Sequence, residues 1–228
     1  MFRILDILKK EADFISGQEI GKRLSISRAA VWKGIKRLRE DGYEIEAVTN
    51  KGYRLISHDS MYNREEILEG MTTKRMGQAI YFYKEIGSTN EAIRELSYQG
   101  VAGGTLAVPE LQHNGRGRRV KAWSGLAGSG VWMSLLLRPD IHPSCASVLT
   151  LLMGLEIRET IELVTGHRAE FKWPNDILIG EKKVVGILTE MDCEINTINS
   201  VTIGIGINVN MTSFPQEIES TATSLYLA

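Results

Sequence analysis

Four strand-like segments crowd the last third of the chain, and the spacers between them are too short to hold a crossover helix. They cover residues 168–173, 177–179, 183–190 and 199–209, with turns at Pro174-Asn175 and Gly180-Glu181. A parallel neighbour needs a connection of about a dozen residues, whereas an antiparallel one closes through two. Adjacent strands there are therefore antiparallel, which excludes a doubly wound parallel sheet. Upstream, 80–83, 105–108 and 131–137 read as strands, and 90–98 as a helix with Ala92, Ile93 and Leu96 inward. A long helix is expected over about 144–165, with Val148, Leu152, Leu155 and Glu159 on one line and Leu151 and Ile161 beside it. Together these predict an α+β domain around a mixed or antiparallel sheet, running from 64 to 228 and opened by a short helix at 64–69.

The first 58 residues follow a different pattern. Ile4, Leu5 and Leu8 share one face of a helix that fades near Asp13-Phe14. Ser16 and Glu19 have capping-box spacing ahead of Ile20 and Leu24. A third helix runs over 28–41, with Val31, Ile35 and Leu38 inward and Gly42 as its stop. Two short strands, 43–49 and 53–56, are joined by Asn50-Lys51-Gly52, residues suited to a hairpin turn. Helix, turn, helix and hairpin make a winged helix, and the polar stretch 59–63 is the expected linker.

Charge separates the same two regions. Residues 1–58 carry twelve Lys+Arg against eight Asp+Glu, and the rest carry fifteen against twenty. The third helix holds Arg28, Lys33, Lys36, Arg37 and Arg39 with no acid before Glu40, so phosphates are drawn to it. In a winged helix the N-terminal side chains of this helix reach base edges. The candidate DNA contacts are Ser27, Arg28, Ala29, Trp32, Lys33 and Lys36, with Lys51 on the wing. The alternative is a winged helix used for protein contacts.

Cys145 and Cys193 lie far apart, with no metal-ligand spacing. Charged residues interrupt the apolar pattern of the first helix, unlike a signal peptide, and no run approaches the roughly 18 apolar residues of a membrane span. A reducing cytoplasm and no membrane partner are expected.

The second region holds four stretches with chemical content. Gly115-Arg116-Gly117-Arg118-Arg119-Val120-Lys121-Ala122-Trp123 packs four cations and two glycines into a run without hydrophobic periodicity. Glycines let backbone fold closely around a ligand, and arginine forks and backbone N–H groups suit a carboxylate or phosphate; a solvated basic loop is the plainer alternative. Ser88-Thr89-Asn90 stands between a strand and a helix, where an ordinary N-cap also fits. Lys172-Trp173-Pro174-Asn175-Asp176 is followed by Lys183 and Gly186. The glycines of Gly204-Ile205-Gly206-Ile207-Asn208 either serve a site or thin a strand for close packing.

In this order and spacing the four stretches resemble the biotin protein ligases and, with the winged-helix head, the bifunctional biotin ligases and biotin-operon repressors of bacteria. The most specific mark is Lys172-Trp173-Pro174-Asn175-Asp176 followed by Lys183-Val184-Val185-Gly186. The resemblance implies a catalytic domain of the biotin/lipoate ligase type, akin to class II aminoacyl-tRNA synthetases. It implies biotin, ATP and Mg²⁺, formation of biotinyl-5'-adenylate, and transfer of biotin to a lysine of a biotin carboxyl carrier protein, in acetyl-CoA carboxylase or another biotin-dependent enzyme. It also implies operator DNA and a homodimer formed with the adenylate bound.

By position, Lys183, Arg116 and Arg118 are the implied catalytic residues. Ser88, Thr89, Asn90, Gln112, Arg116, Gly117, Arg118 and Lys183 would hold biotin. Gly115, Arg118, Arg119, Lys121, Trp123, Asn175, Asp176 and Asn208 would line the nucleotide side, with Asp176 on Mg²⁺. The chain departs from the family at Leu111 and His113, at Val120 where glycine is usual, and at Lys121 where arginine is usual. The family also continues past the position of Ala228 into a C-terminal β-barrel-like domain, which this sequence is expected to lack. Competing expectations are a regulator that senses biotin or its adenylate without turnover, and a lipoate-type ligase.

Overall fold

The computed structural model describes residues 2–40, 43–57, 64–69, 71–117, 122–123 and 127–228. Gly42, the linker 59–63, Arg118, Arg119, Val120 and Lys121 lie outside them. The chain divides into two units, Met1–Glu69 and Gly70–Ala228. The helix at 64–69, expected to open the second region, falls in the first.

In the first unit, α1 (Phe2–Lys10), α2 (Gly17–Leu24) and α3 (Arg28–Glu40) precede the hairpin β1 (Glu44–Val48) and β2 (Gly52–Ser57), followed by α4 (Arg64–Glu69). Ser16 caps α2 as its spacing predicts, its hydroxyl accepting from Glu19 N–H at 3.0 Å. The chain then reverses through Ser25 at φ 54°, and Ile26 N–H donates to Gly21 O at 2.9 Å. A side chain on Gly21 would strike Ile26 O at 2.7 Å, so the tight turn requires glycine. Ile20, Val31, Ile35 and Leu38 meet Ile4, Leu5, Leu8 and Ile45 in one apolar core. Ile15 and Tyr53 exchange backbone hydrogen bonds of 2.9 and 2.8 Å, adding a third rung to the wing.

The second unit contains β3 (Ile80–Ile86), α5 (Thr89–Tyr98), β4 (Leu106–Gln112), β5 (Gly115–Arg116), β6 (Ala122–Trp123), β7 (Gly130–Leu137), α6 (Ala146–Thr165), β8 (Glu170–Lys172), β9 (Asp176–Ile179), β10 (Lys182–Cys193) and β11 (Ile198–Asn208). Seven strands form one sheet in the order β3-β4-β7-β11-β10-β9-β8. Only β3 and β4 run parallel, with α5 as the crossover between them; the remaining pairs are antiparallel. The sheet is mixed, as the short spacers require.

Helices α5 and α6 cover opposite faces of the sheet. Ala92, Ile93 and Leu96 of α5 pack with Ala107 and Leu136. Ile157 and Ile161 of α6 join Ile177, Val184, Val185, Ile187, Val201, Ile203 and Ile205. The line Val148, Leu152, Leu155 lies outward, with Val148 49% and Leu152 52% exposed. Large apolar residues surround most of α6, so their period does not choose the buried face. A small residue does: the ring of Phe171 lies where a Gly154 side chain would be, 2.1 Å from its ideal Cβ.

Candidate functional site

The site grows from the alternation of β10 and β11. Gly186, Leu188 and Glu190 pair with Gly206, Gly204 and Thr202 and share the α5 face of the sheet, because successive strand residues point to opposite sides. Their neighbours Val185, Ile187, Ile203 and Ile205 point the other way, into the α6 core. Gly186 and Gly206 thus form a bare floor of backbone. The small β5–β6 hairpin pairs Gly115 with Trp123 and lays the Trp123 indole on that floor. A Cβ would come within 2.5 Å of the ring at Gly206 and 2.7 Å at Gly186. These glycines do thin the strand, and an aromatic ring uses the space.

One wall is polar. Ser88 occupies the N-cap position of α5, yet its side chain makes no capping hydrogen bond. Thr89 N–H donates to Gln112 Oε1 at 2.8 Å, with the Thr89 hydroxyl oxygen 3.0 Å from the same acceptor. Ser134 Oγ lies 2.7 Å from Thr89 Oγ1 and donates to Asn90 Oδ1 at 2.6 Å. Asn90 Nδ2 donates to Glu190 Oε2 at 2.6 Å. Thr89, Asn90, Gln112 and Ser134 are buried and bonded to one another in an interior network, and Ser88, also buried, is not the ordinary side-chain cap.

Lysine and arginine bring positive charge to the cleft. Lys183 Nζ lies 5.1 Å from the Trp123 ring centroid and 2.6 Å from Asp176 Oδ1. Its backbone is clamped by the segment after β11: Lys183 N–H donates to Thr221 O, and Thr223 N–H to Lys183 O, both at 2.8 Å. Arg116 pairs with Glu91 at 2.5 Å on the exposed rim. Asn175 continues the sheet edge, its backbone carbonyl accepting from Ile187 N–H at 2.9 Å.

These groups line an open cleft of about 460 Å³, mouth included, with Trp132 in its wall. Of the residues expected at the site, Ser88, Thr89, Asn90, Gln112, Arg116, Gly117, Trp123, Asn175 and Lys183 face it. Gly115 is buried beneath the hairpin, where a Cβ would strike Trp123 O at 2.2 Å. Asn208 does not face the cleft. Its Nδ2 donates to Thr223 O at 3.0 Å, tethering the segment that clamps Lys183. Ser134 and Glu190 escaped the sequence reading. Ser134 carried a signal nonetheless, as a lone hydroxyl in the apolar run Gly130–Leu137, where a polar group must find a partner.

The arrangement combines an apolar floor, a wall of neutral donors and acceptors, and a cationic end. It accommodates a flat polar head group attached to an anion. Among the described residues no group of three His, Cys, Asp or Glu side chains could hold a metal ion.

On α3 of the first unit, Ser27 caps the helix, accepting from Ala30 N–H at 3.2 Å. Arg28, Ala29, Trp32, Lys33 and Lys36 are exposed, Trp32 at 56%. Lys36 lies 6.0 Å from the Trp32 ring centroid and 3.7 Å from Glu40. Lys51 on the wing stands over Phe14 at 5.7 Å. Arg39 is exposed as well, and its guanidinium donates to Ile45 O at 3.0 and 2.5 Å.

A winged-helix unit and a mixed-sheet unit with an anion-and-amide cleft define a ligase-type catalytic fold joined to a nucleic-acid-binding fold. Comparison with known proteins agrees: residues 1–54 match an HTH domain, and residues 82–208, more than half of the chain, match the biotin/lipoate A/B protein ligase family. The chain belongs to that family. It is 48% identical over 215 residues to the bifunctional ligase/repressor BirA of Bacillus subtilis (strain 168), covering 93% of this chain and 66% of that protein. The corresponding protein of Escherichia coli (strain K12) is 30% identical over 204 residues, covering 90% of this chain and 62% of that one. Among solved structures, the biotin protein ligase from Aquifex aeolicus in complex with biotin and ATP superposes with a TM-score of 0.56 at 36% identity, covering 65% of this chain and 60% of that chain. The chain spans just under two thirds of the length of the curated relatives it matches.

Proposed function

We propose that the second unit is a biotin–[carrier protein] ligase and that the first makes the protein a biotin-responsive, DNA-binding repressor. The observation that carries the reading is the convergence, in one glycine-floored cleft, of the Thr89–Gln112 wall with Lys183. The ureido head of biotin is neutral and rich in hydrogen-bonding groups, and its carboxylate lies at the end of an apolar chain. Ser88, Thr89, Asn90 and Gln112 hold the head, the Trp123 and Trp132 rings flank the apolar part, and Lys183, Arg116, Gly117 and Arg118 meet the carboxylate. A biotin carboxylate oxygen attacks the α-phosphorus of ATP and pyrophosphate leaves. The carrier lysine amine then attacks the acyl carbon of the adenylate and AMP leaves.

Two anions must approach each other in the first step, so fixed cations at the reacting centre lower its barrier. Lys183 supplies one, released from Asp176 when a ligand oxygen replaces that carboxylate. Gly115, Arg119, Lys121, Trp123, Asn175 and Asp176 belong to the nucleotide side of this proposal. Asn208 acts on it only through Thr223 and the Lys183 backbone. Asp176 is the carboxylate that would meet Mg²⁺, which would arrive with the nucleotide, need few protein carboxylates and screen the phosphate charge.

For the first unit, α3 enters the major groove with Arg28, Ala29, Trp32 and Lys33 towards the bases. A homodimer formed with the adenylate bound then spans two operator half-sites. A reducing cytoplasm suits a protein whose two cysteines are free. Incubation of the chain with biotin and Mg-ATP, followed by mass spectrometry, is expected to find bound biotinyl-5'-adenylate. Biotin binding without adenylate would favour the sensor reading, and binding of lipoate in place of biotin the lipoate-type ligase.

A further inference from the structure

The hydrogen bonds along the polar wall have a direction, and a carboxylate outside the cleft sets it. Glu190, as a carboxylate, only accepts. The end of the Asn90 amide at 2.6 Å from Glu190 Oε2 is therefore the NH₂, which turns Asn90 Oδ1 towards Ser134 Oγ, also at 2.6 Å. Ser134 has one proton, and Asn90 Oδ1 takes it. At 2.7 Å from Thr89 Oγ1, the Ser134 oxygen is left as an acceptor, so the proton between these two hydroxyls comes from Thr89. Thr89 then shares that proton at most weakly with Gln112 Oε1, which is held by the shorter bond from Thr89 N–H. The result is a wall of fixed polarity, in which Thr89 Oγ1 has given up its proton to Ser134 and is left as an acceptor for a group in the cleft it lines.

We propose that Glu190 is a positioning residue that sets this polarity through Asn90 and Ser134. The cleft thereby selects a head group presenting an N–H to Thr89. A cyclic urea or lactam meets that requirement; a cyclic carbamate with ring oxygen in place of that N–H sets two acceptors against each other. Replacing Glu190 by glutamine keeps the shape but allows the far end of the chain to donate. Asn90 can then turn over, Ser134 can donate to Thr89, and the wall loses its preference. The inference rests on the biotin reading of the cleft and names a group that reading does not use.

The test is isothermal titration of the full chain and its Glu190→Gln variant with biotin and with its two cyclic carbamate analogues, in each of which one ureido N–H is replaced by oxygen. The parent chain is expected to prefer biotin over at least one analogue by about tenfold or more, the scale of one well-placed hydrogen bond. Glu190→Gln is expected to bind biotin about five- to tenfold more weakly while holding that carbamate nearly as before, so that the preference shrinks. Ser134→Ala, which cuts the chain at its middle, should shrink it too. Equal weakening for both ligands, as from loosened packing, overturns the proposal, as does an unchanged preference in Glu190→Gln. A parent chain that binds no biotin fails differently, removing the reading of the cleft itself.

Discussion

The two faces of the central sheet are made by the same strands and do opposite things. On β11, Val201, Ile203 and Ile205 point into the α6 core, Val201 and Ile203 at 0% and 1% exposure, while Gly204 and Gly206 between them floor the cleft. On β10, Val185 and Ile187 alternate in the same way with Gly186 and Leu188. Each buried isoleucine contributes about 1.5–3 kcal/mol, and each strand glycine forgoes part of that and costs backbone entropy. The α6 face thus stabilises a sheet whose α5 face is bare of side chains at Gly186, Gly204 and Gly206, where Trp123 lies over two of them and Asn90 over the third. Neither face is an accident of composition, because a shift of register by one residue would exchange them.

Single substitutions on the two faces should separate folding from binding. Ile203→Ala on the core face is expected to lower unfolding stability by about 2–5 kcal/mol, measured by urea denaturation, a large share of the roughly 5–15 kcal/mol typical of a domain. The chain that remains folded should bind biotin almost as the parent does. Gly206→Val on the cleft face should reverse the pattern. Valine suits a strand, but its Cβ would sit 2.5 Å from the Trp123 ring, so the hairpin must lift away. Ligand affinity should then fall about ten- to a hundredfold, an overpacking cost of about 1–3 kcal/mol, with the melting temperature nearly unchanged. If both variants lost stability and affinity together, the division of labour between the faces would be wrong.

What the sequence reveals and what it hides follow the same geometry. The Ser16–Glu19 cap, the Val31, Ile35, Leu38 stripe and the antiparallel strands are legible because each is settled within a few residues by capping, helical period or turn length. Most of the cleft is legible too, since Ser88 to Asn90, the glycine-and-arginine run after Gln112, and Asn175 and Lys183 at strand ends are polar or basic residues standing in short local runs. Glu190 is not: it meets Asn90 across a hundred residues, through a register that no local pattern announces. The rotation of α6 was hidden for another reason. Gly154 accepts the Phe171 ring, and a glycine is invisible to a search for large apolar residues. Arg39 reads as a surface cation on helical spacing and is one; what the spacing does not announce is its bond to the Ile45 carbonyl.

Helix α3 divides its two faces as the sheet does, and it offers a milder test. Val31, Ile35 and Leu38 are buried while Arg28, Trp32 and Lys33 are exposed. Lys33→Ala should leave thermal stability unchanged and weaken DNA binding several-fold. If Lys33 contacts a phosphate, the slope of log affinity against log salt concentration should shrink by about one. A loss confined to one sequence, with the slope intact, would instead place Lys33 at a base edge. A change in melting temperature without change in DNA affinity would remove α3 from the interface.

The smallest effect expected comes from the α5 face, which holds a titratable group beside its apolar cluster. Tyr83 on β3 packs beside the α5 cluster; burial pushes its phenol above the ordinary value, and the nearby Tyr81 and Glu95 act in the same direction. The unfolded chain therefore ionises this tyrosine first as pH rises past about 10. In that range the native state binds more protons than the unfolded one, so stability falls as pH increases. The contribution is fully present below the unfolded value and is lost as pH climbs through the raised folded one. Tyr83→Phe cannot ionise, and its urea midpoint should decline less steeply between pH 9 and 11 than that of the parent. Because Tyr83 is only partly buried, solvent screening keeps the difference small. Parallel decline of the two proteins would mean that Tyr83 is hydrated in the folded chain, and that the α5 face is wetter at its β3 edge than at its centre.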